Sequence, residues 1–390
     1  MEREATRRRF LRAGGAASAL ALAGCLGGSN PITGGGDGGT SGTSGWPRVQ
    51  RDAAATGQAD ASGPTSSVEE VWTAPMDDRW SATPAIVDGT VYAETPGGVS
   101  ALDAESGEEE WSKGFESSAA YLTVSDGKLY FEAGGMRALD VADGSEEWTY
   151  DEIPEKGYPT VVDGRAYVGK ATGGLVALDA ANGEESWSFP TDLPIRAPPA
   201  VADGTVYVTT PAQEDKQGVL YAIDAESGEE IWRIEGASAY AQTPTVADGS
   251  VYLQETYVTA RSADTGDEEW TYEHDTAIVP RTVAYADGTV YFGNKRSQSV
   301  RGTVFALDAA SGEEDWNQSF EGGAVDGPIV SDGTLYVGTT AGVVRALDTD
   351  SGESLWDHSV ENGIKSGLAL ADGRLYAVTD DETLHVLAEA

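Results

Sequence analysis

A single phrase, Ala101-Leu102-Asp103-Ala104-Glu105-Ser106-Gly107-Glu108-Glu109-Glu110-Trp111, returns along the whole chain. Recognisable copies end at Trp148, Trp187, Trp232, Trp270, Trp316 and Trp356. A fixed period of roughly 40 residues built from short β-type runs marks a β-propeller, because one such unit cannot bury its own faces without neighbours. The 390 residues would suffice for several domains, but the repeat argues for one large closed unit.

A second motif alternates with the first: Asp88-Gly89-Thr90-Val91-Tyr92, then the same pattern at Asp126, Asp163, Asp203, Asp248, Asp287, Asp332 and Asp372. Asp-Gly between alternating apolar runs predicts a two-residue hairpin turn, since both residues tolerate positive φ. It joins strands A and B of each blade. The Leu-Asp-x-x-Ser/Thr-Gly stretch predicts the C–D turn, with Asp accepting backbone hydrogen bonds and Gly in the left-handed region. The Trp that follows then falls on the outer strand. Regular spacing assigns Trp72, Trp111, Trp148, Trp187, Trp232, Trp270, Trp316 and Trp356 to packing between neighbouring sheets rather than to ligand stacking. Truncating one to Ala should cost about 3–5 kcal/mol.

The chain ends predict how the ring closes. The last repeat runs to Leu384-His385-Val386-Leu387-Ala388 and stops before the turn and the Trp. Val68-Glu69-Glu70-Val71-Trp72 has an outer strand's Trp with no A, B or C strand before it. Pairing the two removes both exposed edges. The expected fold is all-β: an eight-bladed propeller over 68–390 with four-stranded antiparallel blades, the last shared between the termini.

Acidic residues outnumber basic ones 65 to 25, and the net charge is −40. Such a charge keeps a protein soluble where salt screens its self-repulsion, so we read a salt-loving source and exclude nucleic acid as a partner. Residues 1–25 read as an address. Thr6-Arg7-Arg8-Arg9-Phe10-Leu11-Arg12 resembles the twin-arginine export signal, and the run Ala13 to Gly24 is too short to span a bilayer. Leu22-Ala23-Gly24-Cys25 resembles a lipobox. Cys25, the only cysteine, would carry lipid and tether the protein to the outer face of the cell membrane. Residues 26–45 have the Gly/Ser/Thr composition of a flexible tether. Within the extension 46–67, Trp46-Pro47, Arg51-Asp52 and Thr56-Gly57 resemble a short motif that often precedes such propellers; no role is assigned to it.

The recurring A-L-D-x-x-[ST]-G-x-x-x-W pattern resembles the tryptophan-docking motif of PQQ-type propellers. That superfamily includes quinoprotein alcohol dehydrogenases and outer-membrane assembly lipoproteins, so the resemblance is specific to fold and not to function. One blade departs from it: Ala260-Arg261-Ser262 has Arg and Ser in place of Leu and Asp, which we read as drift at a turn.

The A–B and C–D turns are expected on one face of the disc, uniform and acidic. The B–C and D–A connections are expected on the other, where any site belongs. That variable face carries the insertions 210–218 and 294–302 and an excess of the basic residues. Its candidate ligand residues are Arg79, Trp80, Arg196, Arg281, Lys295, Arg296 and Asp326. The bland reading of the same residues is a mixed polar surface.

A quinoprotein dehydrogenase would need a carboxylate base, Ca²⁺ on oxygen ligands and cations for PQQ, and no spacing here singles such residues out. No metal or cofactor is therefore expected, with PQQ and Ca²⁺ as the alternative. His274, His358 and His385 are too scattered for zinc. The stretch 164–171 nearly matches a phosphate loop but begins in a hairpin turn and has Ala171 where Ser or Thr is needed. The leading expectation is a non-catalytic, lipid-anchored scaffold whose variable face binds a protein or surface polymer at the cell envelope. The alternatives are a PQQ-dependent dehydrogenase and a carbohydrate-binding module using Trp80, Tyr121, Tyr158 and Tyr240.

Overall fold

The computed structural model describes residues 45–48, 51–59, 61–76, 83–117, 119–153, 157–238, 240, 242–254, 257–273, 282–295, 301–323 and 327–390, the side chains of 120, 238, 294 and 295 excepted. The described residues form eight antiparallel sheets and no helix. Chain order gives blades 1 (85–114), 2 (120–150), 3 (159–189), 4 (200–238), 5 (245–272), 6 (284–321), 7 (329–359) and 8 (369–389). Blade 1 shows the pattern: Ala85–Val87, Thr90–Thr95, Gly98–Asp103 and Glu109–Gly114 run from the innermost strand A to the outermost strand D. Strand B is buried along most of its length in every blade, as apolar runs between two packed sheets require.

Blade 8 supplies only three strands from its own sequence. Val68–Pro75 is its fourth, antiparallel to Thr383–Glu389, with Trp72 opposite Val386 and Thr73 opposite His385. The ring is closed by its two ends.

All eight A–B hairpins turn on an Asp with φ between 43° and 50°, followed by Gly at positive φ. These are the paired left-handed positions that a twisted two-residue hairpin demands. Each D strand carries a bulge immediately before its Trp: Leu102 faces Glu109 and Ala101 faces Trp111, so Glu110 is the extra residue. The same shift recurs in the other seven blades. It bends the outer strand and turns the indole onto the next blade. There each ring meets the glycine of the neighbour's C–D turn. A Cβ on Gly228 would lie 2.6 Å from the Trp187 indole, and one on Gly352 2.5 Å from that of Trp316. Each indole N–H also donates to a backbone carbonyl of that turn, from Trp72 to Ala104 at 3.1 Å round to Trp316 to Thr349 at 2.8 Å. Trp356 completes the set differently. Blade 8 has no C–D turn of its own, and the carbonyl of Pro64, in the segment leading to Val68, accepts its N–H at 3.0 Å.

The extension before Val68 runs along the inner edge of the ring. Gly45–Trp46 pairs with strand A of blade 1. Carbonyls of Pro47, Ala53, Ala54, Thr56 and Gly57 then accept the N–H groups of Val124, Val201, Val246, Tyr285 and Val330, at 2.7 to 3.0 Å. These donors belong to strands A of blades 2, 4, 5, 6 and 7, so one passage of the leader visits six blades in order. It satisfies inner-edge amides that would otherwise face the axis unpaired. The short motif left without a role makes this path possible. Trp46 is buried, Asp52 accepts the N–H of Thr56 at 2.9 Å, and Gly57 sits at φ 67°.

Candidate functional site

The repeated turns share one face. In seven blades the residue after the C–D turn's Asp, or after Ser262 in blade 5, donates its N–H to the Gly carbonyl of the same blade's A–B turn, as Ala104 does to Gly89 at 2.8 Å. Asp103 accepts both the N–H and the hydroxyl of Ser106, at 2.7 and 2.6 Å, and Asp224, Asp308 and Asp348 repeat the arrangement. These hydrogen bonds hold the four carboxyls below the usual carboxylate range. In blade 5 the turn survives its altered sequence. Arg261 donates to the Gly266 carbonyl and to Glu268, while the Ser262 hydroxyl takes the acceptor role that Asp has elsewhere.

The larger variation lies on the opposite face. The fifth residue of strand B reaches it, and in four blades that residue is polar yet buried: Glu94, Glu132, Thr209 and Gln254. Glu94 accepts the N–H of Tyr121 at 2.9 Å and Glu132 that of Gly134 at 2.8 Å; Gln254 donates to the Gly293 carbonyl at 2.8 Å. Tyr121 has φ 56° and its ring meets Tyr158 edge-on, 4.0 Å between centroids. Burial pushes the Tyr158 hydroxyl up, with a hydrogen bond from Tyr121 and the nearby Arg196 guanidinium opposing and Glu132 adding to the shift. Blades 1 to 3 thus bring two buried carboxylates, two tyrosines and the exposed Arg196 into one neighbourhood. Sequence reading passed over the carboxylates; the available signal was a Glu at a strand-B position otherwise held by Gly, Thr, Gln or Val.

The 210–218 insertion builds a cleft of about 650 Å³ between blades 3 and 4. Its walls include Asp192, Leu193, Lys216, Tyr221, Arg233 and Glu235. Lys216 reaches across to the Asp192 carbonyl at 3.3 Å and Arg233 lies 3.6 Å from Glu230, so two exposed cations border it in an otherwise acidic molecule.

Of the residues expected to take a ligand, Arg196 is described and exposed. Arg79, Trp80, Arg281, Arg296 and Asp326 and the Lys295 side chain lie outside the described residues, as do Arg7, Arg8 and Cys25. The aromatic residues offered for a sugar divide: Tyr158 is buried, Tyr121 half-buried and Tyr240 exposed. A calcium-bound quinone would need several oxygen donors converging on one point. Among the described residues no three His, Cys, Asp or Glu do so. Glu94 and Glu132 stand on separate blades, each holding a backbone N–H. The described residues do not fit that group.

The repeat model described as outer membrane protein assembly factor BamB matches residues 65–194, 153–217, 193–322 and 300–390, almost the whole ring. The chain belongs to this BamB repeat family. No curated protein matches its sequence. Among solved structures, BamB from Moraxella catarrhalis aligns with TM-score 0.66 at 20% identity, over 83% of this chain and 98% of its own. The quinohemoprotein alcohol dehydrogenase of Comamonas testosteroni aligns at 0.71 and 14%, over 91% and 82%, and that of Pseudomonas putida HK5 at 0.70 and 15%, over 88% and 80%. At such identities the likeness is one of fold. BamB family membership leaves binding and oxidation chemistry equally open, and the choice falls to the residues of the variable face.

Proposed function

We propose that this BamB-family propeller is a non-catalytic scaffold at the outer face of the cell membrane, tethered through lipid on Cys25, which binds an envelope protein with its variable face. The observation that carries the reading is the leader threaded round the inner edge: five of its carbonyls are committed to inner strands, stiffening the ring about its axis and leaving the outward loops as the adaptable surface. A rigid ring carrying one varied face suits recognition by complementarity. The description of the family as an assembly factor supports a protein rather than a polymer as the partner. The cleft bordered by Lys216 and Arg233 is where we place the contact.

The test is affinity capture from the protein's own membranes at high salt, alongside a Lys216→Glu/Arg233→Glu variant. A reproducible protein partner, retained by the wild type and lost by the variant, is the expected result. Stoichiometric binding of PQQ with Ca²⁺ and dye reduction on alcohols or sugars would replace this reading with the dehydrogenase. Glycan binding without a protein partner would replace it with the carbohydrate module.

A further inference from the structure

The leader that lines the axis carries a buried charge with no ion-pair partner among the described residues. Arg48 is 2% exposed, and its Nε and Nη1 are buried without a hydrogen-bond acceptor among the described residues. Its chain neighbours explain why it cannot swing out. The Pro47 carbonyl is bonded to Val124 of blade 2, the Arg48 carbonyl accepts the N–H of Arg51 at 2.9 Å, and Ala53 is bonded to Val201 of blade 4. These backbone bonds fix the chain on both sides of the residue. Asp52 is the one charge that favours the guanidinium, but both its carboxylate oxygens are taken by Thr56, through the N–H and the hydroxyl. It forms no ion pair with Arg48.

A buried guanidinium with two idle N–H groups is among the most costly arrangements a core can hold, since neither its charge nor its donors are compensated. The unmet groups are all donors. Trp46 Nε1, two residues earlier in the leader, is a third buried N–H without an acceptor. A water molecule could accept one of these hydrogen bonds but would leave the charge. An anion answers both needs.

We propose that the leader holds a small inorganic anion, chloride in size, against the buried guanidinium of Arg48 inside the ring. Burial sets the size, because a guanidinium only 2% exposed is closed to ligands larger than a small ion. The Nε–H and the Nη1 N–H groups lie on different edges of the guanidinium, so an ion seats on one of them and is held chiefly by the desolvated charge. The net charge of −40 would repel anions from the outer surface, so retention at Arg48 is a local effect of one desolvated cation. The anion then acts as a structural ion, joining the leader to the ring.

Bromide is the probe. Crystals of the full chain soaked in sodium bromide should show an anomalous peak within roughly 3.5 Å of Arg48 Nε or Nη1. In solution, replacing chloride by gluconate at equal ionic strength should lower the melting temperature of the wild type by roughly 2–4 °C. Arg48→Met removes the donors and the charge together, and its melting temperature should be the same in both salts. A wild-type crystal with only water on the guanidinium at molar bromide would overturn the proposal, whether or not the variant folds. Equal shifts in the wild type and Arg48→Met would overturn it in solution.

Discussion

At the scale of single residues, the blade motif couples an indole to a glycine. Gly228 must be Gly for two reasons: its φ is 74°, and a Cβ would enter the Trp187 ring. Gly204, in the A–B turn of the same blade, shares the positive φ, but nothing lies within 4 Å of its missing Cβ. Gly204→Ala should therefore cost about 1 kcal/mol of backbone strain and Gly228→Ala about 3 kcal/mol, once overpacking is added. Chemical unfolding of the two variants measures the difference, and equal losses would deny that the indole seats on the turn. Trp316 separates packing from hydrogen bonding in the same way. Trp316→Phe loses the N–H to Thr349 and some area, about 1–2 kcal/mol, whereas Trp316→Ala should lose about 3–5 kcal/mol. The turn carboxyls predict an acid dependence. Asp103, Asp224, Asp308 and Asp348 titrate lower in the folded protein than in the unfolded chain because Ser donors favour the ionised form. Their contribution is present above the unfolded pKa of about 3.9 and is lost as pH falls through the lower folded values. Converting Ser106, Ser227, Ser311 and Ser351 to Ala should destabilise the protein more at pH 6 than in strong acid, where the carboxyls are protonated and only the N–H bonds accepted by the Ser hydroxyls are lost, which equilibrium unfolding against pH would show.

At the scale of elements, the closing strand and the leader do different work. Val68–Pro75 completes blade 8 from outside, and the opposition of Thr73 and His385 invites a covalent check. In a Cys25→Ser background, Thr73→Cys with His385→Cys should form an intramolecular disulfide, keep the protein monomeric and raise stability by about 2–4 kcal/mol. Disulfide-linked dimers instead would mean that the strand pairs between molecules. Closure was readable from the sequence because a strand with its Trp stood before the first hairpin and one was missing at the end. The leader's path was not. Its bonds to the ring are made by backbone carbonyls, which leave no trace in side-chain pattern, and its turns depend on Arg51 at φ 65° and Ala55 at φ 60°, residues that give no turn signal. The bulge before each Trp was hidden for a similar reason. Glu110, Ile231 and Leu355 have different chemistry, and what they share is a position.

For the whole molecule, the repeat determines blade number and one face almost completely, because identical turns need identical residues. The other face is written in what the repeat omits. Insertions pointed to the cleft between blades 3 and 4, but the buried Glu94 and Glu132 sit within strands whose period looks ordinary until burial is known. Net charge is also a property of this scale. At −40 the folded ring repels itself, so its melting temperature should climb as salt rises from low ionic strength; a flat response would show that the charges are already balanced locally. The central claim is that the leader locks the ring by bonding its inner edge. Amide exchange at Val124, Val201, Val246, Tyr285 and Val330 tests it most directly, comparing the native chain with one in which 45–64 is replaced by a Gly/Ser run of equal length. The account predicts slow exchange at all five in the native protein and fast exchange in the variant. Equal rates in the two proteins would contradict it.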